Sequence, residues 1–411
     1  MQAEILSVGD EVVSGQIVDS NAAWLSQRLA DLGIVVAAHA AVRDIQSEIV
    51  EAVKVAAGCS EVVIVTGGLG PTHDDLTREA VAAAAGAELA LDPPSLEHVE
   101  QIFAARGIEM PASNAKQATV PRGSDVLPNA TGTAAGFRVD IGAASVFVLP
   151  GVPREMKVMF EGAAVPLLPK GDGAIAVRML KCFGMSESLI SEKLAAQMEL
   201  DGNPKVAFLA SEGIISVKFT SRAATRAAAL GLIEPELAKA RSLLGDAVFG
   251  DDADTLEQVV ARLLESQGRT LAVAESCTGG LVGACLTDVP GISAHFLEGV
   301  VTYSNASKTR LLGVPAELFD TAGAVSADVA RGMAEGVRER SGADIGVGIT
   351  GIAGPTGGSA AKPVGTVHVA VATAAHTSHR KLALRGARTV IKDRAAKHAL
   401  NMVRLELRAQ A

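Results

Sequence analysis

The chain has 411 residues, of which 48% are hydrophobic, and its formal net charge is −9. This length predicts two or three domains at roughly 150 residues each. Aromatic residues make up 3%, with one Trp and one Tyr, which argues against base-stacking platforms, and the acidic balance gives no bulk attraction to nucleic acid. The four cysteines, Cys59, Cys182, Cys277 and Cys285, form no C-x-x-C pair, which argues against a zinc site.

The first residues and the apolar runs predict where the protein is found. The N-terminal segment lacks a basic region and reaches the acidic residues Asp10 and Glu11 early, which is not the pattern of a signal peptide. No apolar run approaches the ~20 residues that a membrane helix needs. Scattered cysteines are typical of a reducing compartment. The sequence therefore predicts a cytoplasmic protein with no membrane partner.

Residues 1–168 alternate between strand and helix patterns. Strands are predicted over 3–8, 34–38, 61–65 and 146–149, and helices over 21–32, 47–57 and 74–85. The run 61–65 is β-branched and nearly all apolar, as expected for a strand buried on both faces. This alternation predicts a three-layer α/β domain with a largely parallel sheet.

The rest of the chain predicts two further domains. A Pro- and Gly-rich segment over 166–173 indicates a linker, and 250–254 indicates a second boundary. Residues 174–250 predict a small α+β domain, with strands over 175–180 and 214–220 and a helix over 189–198. Residues 255–411 return to an α/β pattern, with helices over 325–340 and 393–407, a buried strand over 344–349, and a hairpin formed by 364–372 and 380–384.

A glycine-rich turn with two acids follows the predicted strand 61–65. It contains Gly67, Gly68, Gly70, Thr72, Asp74 and Asp75. Glycines at a strand-to-helix turn let the backbone approach a phosphate, and paired carboxylates can hold a hard divalent metal. Since bare carboxylates repel phosphate, a metal between them makes chemical sense. The alternative is that both acids simply favour the positive end of the following helix.

Other polar residues are expected at the same crevice. Asp10 and Asn21 follow the first predicted strand, and the carboxyl ends of neighbouring parallel strands face one crevice. A later loop, 129–134, contains Gly132 and Thr133 and has the small polar character of a phosphate or ribose contact.

A second candidate site begins at Ser276, which follows the short apolar run 271–273 in a tight turn before an apolar helix start. The first N–H groups of that helix can bind an anion or a developing oxyanion. Segment 301–308 ends in Lys308, and 350–358 is a glycine-rich loop. A serine needs a base to attack an amide, and a lysine can serve if burial lowers its pKa. The pattern predicts hydrolysis or transfer on a small phosphorylated molecule.

Each of these residues also has a structural interpretation. Ser276 can be a helix N-cap, Lys308 a solvated surface lysine, and Tyr303 a core residue with a satisfied hydroxyl. Cys277 is a rival nucleophile, because a helix N-terminus lowers a thiol pKa.

These motifs, in this order, resemble the CinA family (competence/damage-inducible protein A) over the whole chain. For the first domain the resemblance rests on residues 9–11, 19–21, 66–75, 132–133 and 149–153. It implies a molybdopterin-binding-like first domain (1–168), a KH-like middle domain (174–250) and a C-terminal amidase domain (255–411). It also implies metal-dependent hydrolysis of ADP-ribose to AMP and ribose 5-phosphate in the first domain. There we expect Mg, Mn or Co on Asp10, Asp74 and Asp75, and substrate on Asn21, Gly67, Gly68, Gly70, Thr72, Gly132 and Thr133.

The last domain is similar to nicotinamide-nucleotide amidases, which convert NMN to nicotinate mononucleotide and ammonia. The matching stretches are 274–280, 299–308, 311–314, 348–358 and 362–367. The resemblance implies a catalytic set without a cofactor: Ser276 as nucleophile, Lys308 as base, Tyr303 and Thr350. It places around the substrate Cys277, Thr278, Gly279, Gly280, Gly351, Gly354 and Arg388, the last on the 5′-phosphate. Ala387 stands where related sequences commonly carry an acid, and Arg385 is a nearby alternative for the phosphate.

The middle domain is not expected to bind RNA. A KH domain clamps nucleotides with a GXXG loop and nearby positive charge, and 174–250 contains no GXXG. We therefore expect a spacer or oligomerisation element, a homodimer, and no direct nucleic-acid partner. Taken together, the sequence predicts a bifunctional pyridine-nucleotide hydrolase acting on NMN and ADP-ribose. The alternative is a non-enzymatic nucleotide- or pterin-binding scaffold acting with partners in competence or the DNA-damage response.

Overall fold

The computed structural model describes residues 1–169, 173–198 and 202–409. The chain divides into two compact units, one of residues 1–177 and 221–231 and the other of residues 178–220 and 232–411. The middle segment thus shares its residues between the two units, and the three-domain division stays a prediction. Among the described helices, none is long and apolar enough to cross a membrane.

The first unit contains a six-stranded mixed sheet in the order β2-β1-β3-β8-β7-β6 and a separate β4-β5 pair. The strands are β1 (Gln2–Val8), β2 (Val35–Val42), β3 (Val62–Thr66), β4 (Leu89–Leu91), β5 (Thr119–Pro121), β6 (Asp125–Leu127), β7 (Gly136–Ile141) and β8 (Ala144–Leu149). β1 pairs in parallel with β2 and β3, and β3 with β8, whereas β7 is antiparallel to both its neighbours. The sheet is therefore parallel at its centre and antiparallel at one edge.

Helices cover both faces of this sheet. They are α1 (Asp10–Val13), α2 (Ser20–Asp31), α3 (Gln46–Cys59), α4 (Thr77–Ala85), α5 (Pro93–Ala105) and α6 (Pro153–Met159), with shorter turns over Ala112–Ala118, Phe160–Ala164 and Val165–Leu167. Ile5 packs into one core with Leu25 of α2, while its neighbour Leu6 packs into another with Ile49 of α3. Successive strand residues point to opposite faces, so this alternation makes three layers.

The middle segment forms a four-stranded sheet in the order β10-β11-β9-β12. Its strands are β9 (Ala174–Phe183), β10 (Lys205–Ser211), β11 (Ile214–Ala223) and β12 (Val248–Asp251), and its helices are α7 (Glu187–Lys193) and α8 (Arg226–Leu244), with short turns over Ala195–Gln197 and Gly245–Ala247. β10 and β11 form an antiparallel hairpin, and β12 is antiparallel to β9.

The last sheet has five strands in the order β14-β13-β15-β16-β17. They are β13 (Leu271–Glu275), β14 (Phe296–Val301), β15 (Ile345–Gly351), β16 (Thr366–Ala372) and β17 (Thr377–Ala383). The helices are α9 (Leu256–Gln267), α10 (Leu281–Thr287), α11 (Asn305–Leu312), α12 (Glu317–Thr321), α13 (Ala327–Ser341) and α14 (Arg388–Ala409), with a short turn over Ile292–Ala294. β13 is parallel to β14 and β15, so the carboxyl ends of these three strands meet at one edge.

The predicted α/β class is confirmed, with mixed sheets in place of a largely parallel first sheet. The helix predicted from residue 74 begins at Thr77, because Asp75 accepts a hydrogen bond from the Thr72 N–H in the preceding turn. The helix predicted over 189–198 is an α-helix only over Glu187–Lys193. The last helix begins at Arg388, five residues earlier than predicted, and this places Arg388 at its first turn.

Candidate active site

Ser276 lies directly after β13, in the turn that leads to α10. Its N–H donates to the Ile349 carbonyl oxygen at 2.9 Å, and its carbonyl oxygen accepts from the Gly279 N–H at 3.1 Å. Ser276 is 8% exposed and lines a cavity of about 340 Å³. Helix α10 begins at Leu281 with Gly280 as its N-cap. Ser276 does not cap this helix, so the structural interpretation of the serine is wrong.

The carboxylate of Glu275 takes the capping position instead. It accepts hydrogen bonds from the N–H groups of Gly280 at 3.0 Å, Val282 at 3.2 Å and Gly283 at 2.9 Å. Glu275 is 2% exposed, and an anion at this end of a helix is favoured by the free N–H groups and the dipole. These three N–H groups are therefore not available to an oxyanion, which corrects the expectation from sequence.

Lys308 is buried beside Ser276. Its Nζ lies 3.1 Å from the Ser276 hydroxyl oxygen and donates to the carbonyl oxygens of Thr302 at 2.8 Å and Tyr303 at 3.3 Å. The residue is 1% exposed, and burial lowers the pKa of its ammonium group. Lys308 is not a solvated surface lysine.

The three contacts of Lys308 suit a neutral amine. An amine has two N–H bonds and one lone pair, so it can donate to both carbonyl oxygens and accept the proton of the Ser276 hydroxyl. The lowered pKa favours this form. The arrangement can therefore generate a serine nucleophile.

Cys277 also lines the cavity, but its thiol is poorly suited to attack. Burial raises its pKa to about 11, and the thiolate is the reactive form. The expectation that a helix N-terminus lowers this pKa is wrong, because the Glu275 carboxylate occupies the N–H groups of α10 and burial dominates at the thiol.

Tyr303, Thr350 and Arg388 line the same cavity, together with Gly351 and Gly354. Tyr303 is 62% exposed, which rules out the core interpretation, and its hydroxyl accepts from Arg388 Nη2 at 2.9 Å. Arg388 Nη1 donates to the Gly354 carbonyl oxygen at 2.6 Å. The Thr350 hydroxyl donates to the Ala324 carbonyl oxygen at 2.7 Å. These contacts join segments from four parts of the chain around one cavity.

The remaining predicted residues of this motif lie outside the cavity lining. Thr278 is 0% exposed, and its hydroxyl has no hydrogen-bond partner among the described residues. Gly279 and Gly280 have φ of 66° and 93°, conformations that favour glycine, and they form the turn itself. Asn305 and Thr356 line the cavity although sequence reasoning did not single them out.

A second cavity of about 340 Å³ lies in the first unit, at the carboxyl ends of β1 and β3. Of the predicted residues it is lined by Asn21, Gly67, Gly68, Thr72, Asp74 and Asp75. The Asn21 side chain donates to the Gly151 carbonyl oxygen at 2.7 Å and the Thr66 hydroxyl at 3.2 Å. At Gly67 an added Cβ would lie 2.2 Å from the Val8 carbonyl oxygen, so only glycine fits this close approach.

Negative charge accumulates in this cavity. Glu11, Asp19 and Asp44 line it in addition to the predicted acids, and sequence reasoning did not find Asp44. The Asp44 pKa is raised, chiefly by burial and further by neighbouring carboxylates that include Asp74. The Thr72 hydroxyl contacts both Asp74 and Asp75, and its hydrogen bond lowers the Asp74 pKa.

The structure does not bring four predicted residues to the lining of this cavity. Asp10 donates its backbone N–H to the Asp44 carboxylate at 2.9 Å, and Gly70 packs against the Asp75 carboxylate. Gly132 donates its N–H to the Asn129 side chain at 2.8 Å, while Thr133 lines a different cavity. Within 1–169, 173–198 and 202–409, no three His, Cys, Asp or Glu side chains are placed to share a metal ion.

Arg78 supports the glycine-rich turn and was missed in the sequence. It is fully buried and donates to the carbonyl oxygens of Leu69, Gln117, Thr119 and Ala135. Burial lowers its pKa to about 10, so it remains charged at neutral pH. The turn that carries Asp74 and Asp75 is thus tied to β5 and to the segment before β7 by one guanidinium.

Comparison with known proteins gives three family matches along the chain. Residues 4–170 match the "Probable molybdopterin binding domain", residues 177–250 the "Damage-inducible protein CinA KH domain", and residues 253–407 the "CinA C-terminal domain". A CinA-like protein of Kosmotoga olearia is 42% identical over 99% of both chains, and one of Frankia casuarinae is 45% identical over 98% of this chain and 96% of its own. Among solved structures, the competence/damage inducible protein CihA of Agrobacterium tumefaciens is 40% identical and covers 38% of this chain and 97% of its own, with a TM-score of 0.36.

Proposed function

Because this chain belongs to the CinA family, we propose on that premise that its second unit deamidates NMN to nicotinate mononucleotide and ammonia. The observation that supports this is the buried Lys308 Nζ at 3.1 Å from the Ser276 hydroxyl oxygen. The cavity beside this pair is about 340 Å³, within the range of sites for small ligands.

The proposed reaction proceeds through an acyl-enzyme. Ser276 Oγ attacks the carboxamide carbon while Lys308 takes the hydroxyl proton. The tetrahedral intermediate collapses as Lys308 returns that proton to the leaving nitrogen, which departs as ammonia. Water then attacks the ester carbon while Lys308 takes one of its protons. Lys308 returns that proton to Ser276 Oγ as the ester bond breaks, which frees Ser276 and releases the acid, ionised at neutral pH to the carboxylate.

Arg388 is proposed to bind the 5′-phosphate of the nucleotide. Its two terminal nitrogens donate hydrogen bonds to the Gly354 carbonyl oxygen and the Tyr303 hydroxyl oxygen. A guanidinium has five N–H donors in all. Those left over can make charge-assisted hydrogen bonds to phosphate oxygens. Arg385, the alternative from sequence, does not line the cavity.

Ammonia release from NMN by the full chain tests this proposal. We expect turnover in the wild type, its loss in Ser276→Ala, and its retention in Cys277→Ala. Loss with Cys277→Ala alone, in a folded variant, would assign the chemistry to the thiol. Binding of NMN without any turnover in the wild type would favour the non-enzymatic scaffold.

A second candidate function, hydrolysis of ADP-ribose to AMP and ribose 5-phosphate, is favoured by the carboxylates around the first cavity. Hard oxygen ligands suit Mg²⁺ or Mn²⁺, and a cation would offset the carboxylate charge that adds to burial in raising the Asp44 pKa. Since the described side chains do not gather three ligands, we infer that Asp74 and Asp75 would hold a cation whose shell is completed by substrate phosphate and water. Such a cation would neutralise charge that develops on the pyrophosphate.

AMP formation from ADP-ribose, with and without added Mg²⁺, Mn²⁺ or Co²⁺, tests the second candidate. We expect metal-dependent turnover that is lost in Asp74→Asn/Asp75→Asn and retained in Ser276→Ala. Tight binding of a pterin in this cavity, with no turnover of ADP-ribose under any of these metals, would support the scaffold alternative.

A further inference from the structure

A cavity of about 460 Å³ in the second unit is separate from both candidate sites. It lies between the β10–β11 hairpin and helix α14, and none of the described residues lines both this cavity and the Ser276 cavity. Arg394 and His398 of α14 line it one helical turn apart. Side chains four residues apart lie on the same face of a helix, so both face this space.

Two buried nitrogen atoms at this cavity, Arg394 Nε and His398 Nδ1, have no hydrogen-bond partner within the part of the chain that the structure describes. Burial lowers the His398 pKa to about 4, so its imidazole is neutral at neutral pH and carries one N–H. A buried N–H without an acceptor costs free energy that a ligand atom would recover. Arg394 Nε–H can donate to an acceptor in the cavity, and His398 can donate in the tautomer that carries its proton on Nδ1.

The local charge favours an anionic acceptor. Arg380 and Arg394 both contribute to the lowering of the His398 pKa, which indicates a positive potential at the imidazole. Among the described residues that line this cavity, Glu212 is the one with a carboxylate, and it is paired with Lys397 at 3.2 Å. Among the described residues, no ion pair includes Arg394.

The other walls are apolar and partly aromatic. Phe183 packs edge-on against the His398 ring at 4.8 Å between centroids, and Ile214, Ile215 and Leu384 complete the apolar surface. An aromatic ring stacks favourably in such surroundings. We propose that this cavity binds a small aromatic carboxylate, with the carboxylate on Arg394 and His398 and the ring against Phe183 and Leu384.

Calorimetric titration of the full chain with benzoate tests the proposal, with benzyl alcohol as the uncharged comparison. We expect benzoate to bind, benzyl alcohol to bind at least tenfold more weakly, and Arg394→Gln to weaken benzoate binding at least tenfold. His398→Phe, which keeps the aromatic packing and removes the N–H, should also weaken it.

One matched variant separates this cavity from the Ser276 site. Arg388→Gln removes a guanidinium that lines the Ser276 cavity, and it should leave the benzoate affinity unchanged. The proposal is overturned if the wild type does not bind benzoate, or if affinity is lost in Arg388→Gln and kept in Arg394→Gln and His398→Phe. Thermal unfolding of each variant checks that the comparison is between folded proteins.

Discussion

The hydroxyl oxygen of Tyr303 accepts a hydrogen bond of 2.9 Å from Nη2 of Arg388. Tyr303 follows β14 and Arg388 begins α14, so this bond joins two segments that are 85 residues apart in the chain. Arg388 also donates to Gly354 in the loop after β15. The guanidinium is thereby fixed on the wall of the cavity that contains Ser276 and Lys308.

Arg388→Gln should weaken the use of a phosphorylated substrate. We expect kcat/KM for NMN to fall at least tenfold, since a charge-assisted hydrogen bond contributes about 1.5–3 kcal/mol. For nicotinamide riboside, which lacks the phosphate, the change should be small. Steady-state kinetics on both compounds, with Arg385→Gln as the matched control, measure the difference. Equal losses on the two substrates would contradict phosphate binding by Arg388.

The pH dependence of turnover should report Lys308. The base acts only when deprotonated, so activity is lost as the pH falls through the lowered pKa of Lys308. The inflection of kcat/KM should therefore lie below the ordinary lysine pKa of 10.5. Lys308→Met should remove most activity and abolish this inflection. An inflection that persists in the residual activity of Lys308→Met would assign it to another group.

Glu275→Gln should disturb both the fold and the turn of the nucleophile. The neutral amide loses the charge-assisted bonds to Gly280, Val282 and Gly283, so we expect the free energy of unfolding to fall by about 1–3 kcal/mol. Because Ser276 is the next residue, kcat should fall while KM changes little.

Denaturant unfolding and steady-state kinetics measure these two effects of Glu275→Gln. Glu317→Gln, at an exposed acid in the first turn of α12, is the matched control and should change neither quantity. A loss confined to KM would contradict a role in positioning Ser276.

Sequence patterns predicted most of the buried strands and the pairing of Ser276 with Lys308. The runs that became β3 and β15 are rich in apolar β-branched residues, which favours strands buried on both faces, and the family motifs single out the serine and the lysine. The capping by Glu275 was not predictable from the sequence. The position of a glutamate directly before Ser276 does not indicate which of the following backbone N–H groups its carboxylate will bind. Likewise, the sequence does not specify which cavity of the first unit Thr133 lines. In the structure it lines a cavity different from the one that contains Asp74 and Asp75.

Gly67→Ala should destabilise the first unit more than a substitution at an ordinary turn glycine. Gly86 has φ of 66° and open space around an added Cβ, so Gly86→Ala should cost only the strain of a left-handed residue, about 1–2 kcal/mol. Gly67 has φ of 103°, and its Cβ would lie 2.2 Å from the Val8 carbonyl oxygen of β1. Denaturant unfolding of both variants measures the difference, and equal costs would show that β1 can move aside.

Acid should destabilise the protein through the imidazole pair of His368 and His379. His368 Nδ1 lies 2.9 Å from His379 Nε2, and His368 is 7% exposed. Burial and then the positive charges nearby, from His379, Lys381 and Lys362, lower the His368 pKa from 6.5 to about 4. Burial also lowers the His379 pKa, to which Arg331 adds and which Asp328 opposes.

The direction in which stability changes with pH follows from proton binding to the folded and the unfolded chain. Between pH 6.5 and 4 the unfolded chain binds a proton at His368 that the folded chain does not, so stability is complete above that window and falls as the pH is lowered through it. Urea unfolding at pH 7 and pH 5 should show a loss on the order of 1 kcal/mol from this residue. His368→Gln should reduce the loss, whereas His73→Gln, at an exposed loop position, should not. An unchanged pH dependence in His368→Gln would mean that the acid sensitivity arises at other groups.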